Sequence, residues 1–117
     1  MRYKVIIMYF FSLVNIHAQN SGAEWPLFRG KADLTGKSES ELPSSPSLIW
    51  SFPTGERTKS SPVISAGTIY FGNEKGRVIA VGTDGKIKWR FEAGSPVDAA
   101  PLIFGEKVIF GSNDGVL

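Results

Sequence analysis

The chain copies itself. Trp50 returns as Trp89, 39 residues later, and at the same interval, with no gap, Phe52 returns as Phe91, Gly55 as Gly94 and Pro62 as Pro101. Ile64/Ile103, Phe71/Phe110, Gly72/Gly111 and Gly76/Gly115 are further identities, while Val63/Leu102, Ile69/Val108 and Val78/Leu117 are conservative pairs. A segment that recurs at fixed pitch is one structural unit, too small to cover its own apolar faces, which must be buried against the next unit. The second copy is interrupted at Leu117, so the chain is expected to be the amino-terminal piece of a longer array.

Inside the complete copy the apolar runs are short, β-branched or aromatic, and bounded by Gly, Asn and Asp, which is the pattern of strands. Four emerge, at 61–65, 68–72, 77–81 and 86–92, joined by Ala66-Gly67 and by the stretches 73–76 and 82–85. Connections this short make antiparallel hairpins, hence a four-stranded meander. Ile69-Tyr70-Phe71 and Val78-Ile79-Ala80-Val81 are apolar at consecutive positions, which predicts inner strands covered on both faces. In 87–92 apolar Ile87, Trp89 and Phe91 alternate with Lys88, Arg90 and Glu92, the pattern of a half-exposed edge. Units double-covered inside and wet outside are the blades of a β-propeller. The fold class is therefore all-β, a partial β-propeller. It has one complete four-stranded antiparallel blade at 61–92 and part of a second at 100–117.

The segments before the repeats have separate characters. Residues 1–18 read as a secretory signal peptide: Arg2 and Lys4 make a charged start, 5–14 an apolar run, and Ala18 a small residue for cleavage. A membrane anchor is the competing reading, but a spanning helix needs about 20 apolar residues and Asn15 and His17 interrupt this run. The mature chain is then extracytoplasmic, periplasmic or secreted. Residues 19–47 form an irregular arm or linker ending in Leu42-Pro43-Ser44-Ser45-Pro46. Its Trp25-Pro26-Leu27-Phe28-Arg29-Gly30 cluster is either an aromatic binding platform or an arm that plugs its rings against the body. No convergent polar groups accompany the rings, which favours the plug.

Charge and composition exclude several functions. Taking Arg2 and Lys4 from the 13 basic residues leaves 11, equal to the 11 acidic ones, so the body offers no basic surface for nucleic acid. There is no cysteine, hence no lipid anchor at the cleavage point, and the only histidine, His17, lies in the leader. Without an imidazole in the mature chain, Ser60-Ser61 has no base to make it nucleophilic, and its counterpart is Ala99-Ala100. Asp84 and Asp114 sit at turns, where a hairpin role is sufficient. Trp50 and Trp89 recur in register with Phe two residues on, as packing between units demands. Gly72, Gly76, Gly85, Gly111 and Gly115 supply positive-φ turns or close backbone approach. No catalytic, cofactor-binding or metal-binding residue is nominated.

The stretch Ala80-Val81-Gly82-Thr83-Asp84-Gly85-Lys86-Ile87-Lys88-Trp89 resembles the Trp-docking motif of the pyrroloquinoline-quinone-type (PQQ-like) β-propeller repeat. It differs in having Gly82 for the usual Asp, Asp84 for Thr, and one residue fewer before the Gly-Lys pair. Ser60-Ser61-Pro62-Val63-Ile64, Gly67-Thr68-Ile69-Tyr70-Phe71-Gly72 and the Trp25 to Gly30 opening are similar to that family as well. The resemblance implies a ring of seven or eight blades, in which 48–52 is the closing outer strand, paired with strands from the missing carboxyl-terminal end, and it implies two contrasting functions. One is a non-catalytic binding or assembly scaffold of the cell envelope, holding protein partners through loops at the rim and using no cofactor. The alternative is a quinoprotein dehydrogenase in which PQQ and calcium oxidise alcohols or sugars, its active-site residues in blades outside this sequence. Such enzymes commonly contribute adjacent cysteines and acidic metal ligands, so the sequence leans to the scaffold.

Overall fold

The computed structural model describes residues 24–117; the signal-peptide reading of 1–18 lies outside the described residues. Six strands follow in chain order: β1 (Val63–Ser65), β2 (Thr68–Gly72), β3 (Arg77–Gly82), β4 (Ile87–Glu92), β5 (Leu102–Phe104) and β6 (Lys107–Ile109). The first four make one antiparallel sheet in the order β1-β2-β3-β4, and β5-β6 a separate hairpin. The meander expected over 61–92 is the observed sheet, with β1 starting two residues later than expected because Ser61 and Pro62 make no ladder bonds. All three turn signals fold as tight connections, and Ala66, at φ 47°, takes a left-handed conformation in the β1-β2 turn beside Gly67.

Register explains the double burial. In β3, Val78, Ile79, Ala80 and Val81 are all buried, so neither face of this strand meets water. Phe71 pairs with Ile79, and Ile69 with Val81, on one face; Tyr70 pairs with Ala80 and Gly72 with Val78 on the other. The first face is covered from within the chain by Trp50 and Phe52, which pack on Phe71, Ile79 and Val81. The second is covered by the start of the next unit, where Val97 is fully buried against Gly72. A four-stranded sheet is thus clasped between the segment before it and the segment after it.

The pitch seen in the sequence is a pitch of contacts. Val63↔Tyr70 and Ile64↔Ile69 become Leu102↔Ile109 and Ile103↔Val108. The rings of Phe52 and Phe71 meet edge to face at 6.1 Å, and those of Phe91 and Phe110 meet at 5.6 Å. The Glu74 amide donates to the Arg57 carbonyl at 3.0 Å, and the Asn113 amide to the Pro96 carbonyl at 2.9 Å. Each of these is the same interaction moved by one interval.

Three expectations need correction. No strand forms over 48–52, because these residues have no ladder partner among the described residues; they serve through the side chains of Trp50 and Phe52 alone. Gly111 neither takes a positive φ nor faces a close neighbour, whereas Gly72 does face one, Val97. The two tryptophans also differ. Trp50 donates its indole N–H to the Thr83 carbonyl at 2.7 Å and lies over Gly85, while Trp89 leans on Tyr70 at 5.8 Å and stays 38% exposed.

Candidate functional site

The β2-β3 turn and the segment entering β5 come together at one rim of the sheet, and the charges gather there. Asn73 builds the turn. Fully buried, it accepts from the amides of Lys75 (3.1 Å) and Arg77 (3.0 Å) through Oδ1, while its carbonyl takes the amide of Val97 at 3.1 Å. Asn suits this place because its short side chain mimics a backbone carbonyl within a turn. Glu74 then projects toward Lys59, whose ammonium is 2.9 Å from Glu74 Oε1 and 3.9 Å from Asp98 Oδ2. Arg57 Nε lies 3.9 Å from Glu74 Oε2, and Asn113 Nδ2 donates to Asp98 Oδ2 at 3.1 Å. The hydrogen bond that Lys59 donates to Glu74, with the nearby Asp98 charge, raises the pKa of the Lys59 ammonium above its ordinary value.

This cluster borders a shallow cleft of about 470 Å³ lined by Phe28, Lys59, Ser61, Asp98, Ala99 and Ala100. Beside it Ser60 donates from Oγ to the Ala99 carbonyl at 2.9 Å, a bond between matching positions of consecutive units. A second cavity of about 340 Å³ lies between the 48–62 segment and the sheet, lined by Trp50, Phe52, Pro62, Ile69, Phe71 and Val81 among others. Its walls are the apolar side chains that join segment to sheet, and no ionisable group enters it.

The chemistry available is that of a clamp. The Glu74 and Asp98 carboxylates already face Lys59, and neither stands beside a nucleophile or an imidazole. Among the described residues no three His, Cys, Asp or Glu side chains come together at metal-binding spacing, so the residues present do not fit a calcium site. Ser60 and Ser61 lie at the unit boundary. Asp84 and Asp114 sit in turns as expected: Asp84 Oδ1 accepts from the Lys86 amide at 3.1 Å, and Asp114 Oδ1 accepts from the Ser112 hydroxyl. That hydroxyl holds the Asp114 carboxyl below the usual carboxylate range. A lowered carboxyl contributes stability above the usual range and loses it as pH falls through the lowered value. Ser112→Ala is expected to raise the Asp114 midpoint in an NMR titration of the side-chain carboxyl.

Sequence reasoning passed over Lys59, Glu74, Asp98 and Asn113. A signal was there in the pitch. Lys59 and Asp98 occupy the same position of successive units with opposite charge, and Glu74 and Asn113 are likewise matched. The Lys59–Glu74 contact and the Asp98–Asn113 contact are therefore one interaction written twice, with the two cross-linked by the long Lys59–Asp98 approach.

Four-stranded antiparallel sheets that follow one another at constant pitch, each covered by the start of the next, are β-propeller blades, and this chain is a partial propeller of PQQ-like repeats. It belongs to the family described as outer membrane protein assembly factor BamB, whose model matches residues 42–117 and so takes in both units with the segment that covers the first. Among curated proteins none matches the chain.

Proposed function

We propose that the chain is part of a non-catalytic, extracytoplasmic binding scaffold that works in the assembly of outer-membrane proteins. The observation that carries this reading is the family match over 42–117, since the matched family is named for that assembly. The rim agrees with it: its carboxylates face Lys59 and Asn113 within a polar loop face suited to holding a partner. Partners are proteins bound through the 73–76 and 112–116 loops, with no cofactor needed.

The test uses the full chain with a photo-reactive amino acid at Lys75, on that rim, or at Glu106, in the hairpin at the opposite end. Mixed with a purified, urea-unfolded outer-membrane β-barrel protein, the Lys75 variant is expected to give cross-links and the Glu106 variant few. Equal labelling at both positions, or none, would count against the rim as the binding face. Dye reduction with alcohols or sugars after adding PQQ and calcium would overturn the non-catalytic reading.

A further inference from the structure

The inner edges of β1 and β5 are the place where the arm touches the body. Trp25 forms an antiparallel bridge with Ile64: its amide donates to the Ile64 carbonyl at 2.8 Å, and the Ile64 amide donates back at 2.9 Å. One residue further, the Pro26 carbonyl accepts from the Ile103 amide at 2.8 Å. Ile64 and Ile103 are the same position of consecutive units. Glu24 Oε1 adds a bond from the Ala66 amide at 2.9 Å, at the turn that ends β1. Three successive residues thus supply hydrogen bonds to two units, and Pro26 is tolerated because only its carbonyl is used.

The arm is held by this edge and by its own fold. The Gly30 amide donates to the Leu27 carbonyl at 2.8 Å, curling the chain back so that Gly30, at φ +83°, lies under the Trp25 ring, where a Cβ would stand 2.6 Å from the ring carbon Cε3. Arg29 at φ 63° and Leu34 at φ 55° are both forced into the left-handed region. Such conformations are strained for residues with a side chain, so the hook is sprung, and Phe28 next to it is 53% exposed.

We propose that the paired inner edges of β1 and β5 are a docking site for an extended peptide carrying an aromatic-proline pair, and that residues 24–26 are its resident, displaceable occupant. The recognition is backbone addition to a sheet edge. One residue must offer both N–H and C=O to Ile64, the next only C=O to Ile103, and an aromatic ring at the first position is covered by the peptide's own turn, as Trp25 is by Gly30. This site is separate from the rim loops and does not depend on the scaffold role.

Amide hydrogen exchange on the full chain tests it, with the free peptide of residues 22–30 as probe. Trp25→Pro removes the amide that meets the Ile64 carbonyl. Exchange at Ile64 and Ile103 is expected to quicken at least tenfold while Ile69 and Val81 are unchanged, and millimolar peptide is expected to slow both amides again. Unchanged exchange at Ile64 and Ile103, or acceleration that the peptide does not reverse, would overturn the proposal. If Trp25→Pro loosens the β2-β3 ladder as well, Glu24→Ala decides, since it leaves every ladder bond in place. The proposal then stands only if Ile64 and Ile103 quicken along with Ala66, whose acceptor is lost, while Ile69 and Val81 do not, and the peptide slows Ile64 and Ile103 again.

Discussion

Gly72→Ala is expected to separate the two units, at a cost of about 3 kcal/mol, the upper part of the range for overpacking. A Cβ at this position would stand 2.5 Å from the Val97 carbonyl oxygen and press on the Val97 side chain as well. A side chain could turn aside, but the carbonyl is backbone, and the Val97 amide is itself bonded to Asn73. The segment carrying Val97 must therefore lift off β2, which uncovers Val78 and Val63 on that face of the sheet. The control is the matched position. Gly111→Ala meets nothing within 4 Å and is expected to change stability by no more than about 0.5 kcal/mol. Urea unfolding of both variants beside the parent checks this pair, and equal midpoints for the two would show that Val97 does not seat against β2.

The second large effect lies on the opposite face of the same sheet. Trp50→Ala is expected to cost about 3 kcal/mol, the low end for removing a buried aromatic, because the indole is partly open. The loss has three parts: the packing on Phe71, Ile79 and Val81, the hydrogen bond to the Thr83 carbonyl, and the cover over Gly85. Trp89→Ala, at the matched position, is expected to cost about half as much, since it gives up the contact with Tyr70 and buries less apolar area. Tryptophan fluorescence during urea unfolding separates the cases. If Trp89→Ala were as damaging as Trp50→Ala, sequence position and not burial would govern the two rings.

The strands were legible because each apolar run is short and ends at a glycine or asparagine turn, so 68–72 and 77–82 have almost no freedom of assignment. The doubly buried β3 was legible for a related reason: four consecutive apolar residues cannot alternate between core and water. What could not be read was the state of 48–52, which carries the alternation of a strand but finds no edge to pair with. Pattern reports which residues are apolar, whereas a ladder also requires a partner. The rim cluster was hidden because its members lie 15 to 39 residues apart, and local reading treats Lys59 and Glu74 as ordinary surface charges. The arm was read as a plug for its rings. It does dock on the body, yet it is the backbone of Trp25 and Pro26 that makes the joint, while the Trp25 ring turns inward onto its own Gly30.

The bond from Ser60 to the Ala99 carbonyl gives the array a direction. A hydroxyl stands at one of two equivalent places and a methyl at the other, so the donor reaches forward along the chain and cannot be returned. Transposing the two modules would put the methyl first, and the bond between them would be lost. Near-identical pieces are in this way numbered by a single oxygen atom, and a shuffled order would be felt at that joint before any apolar surface had moved.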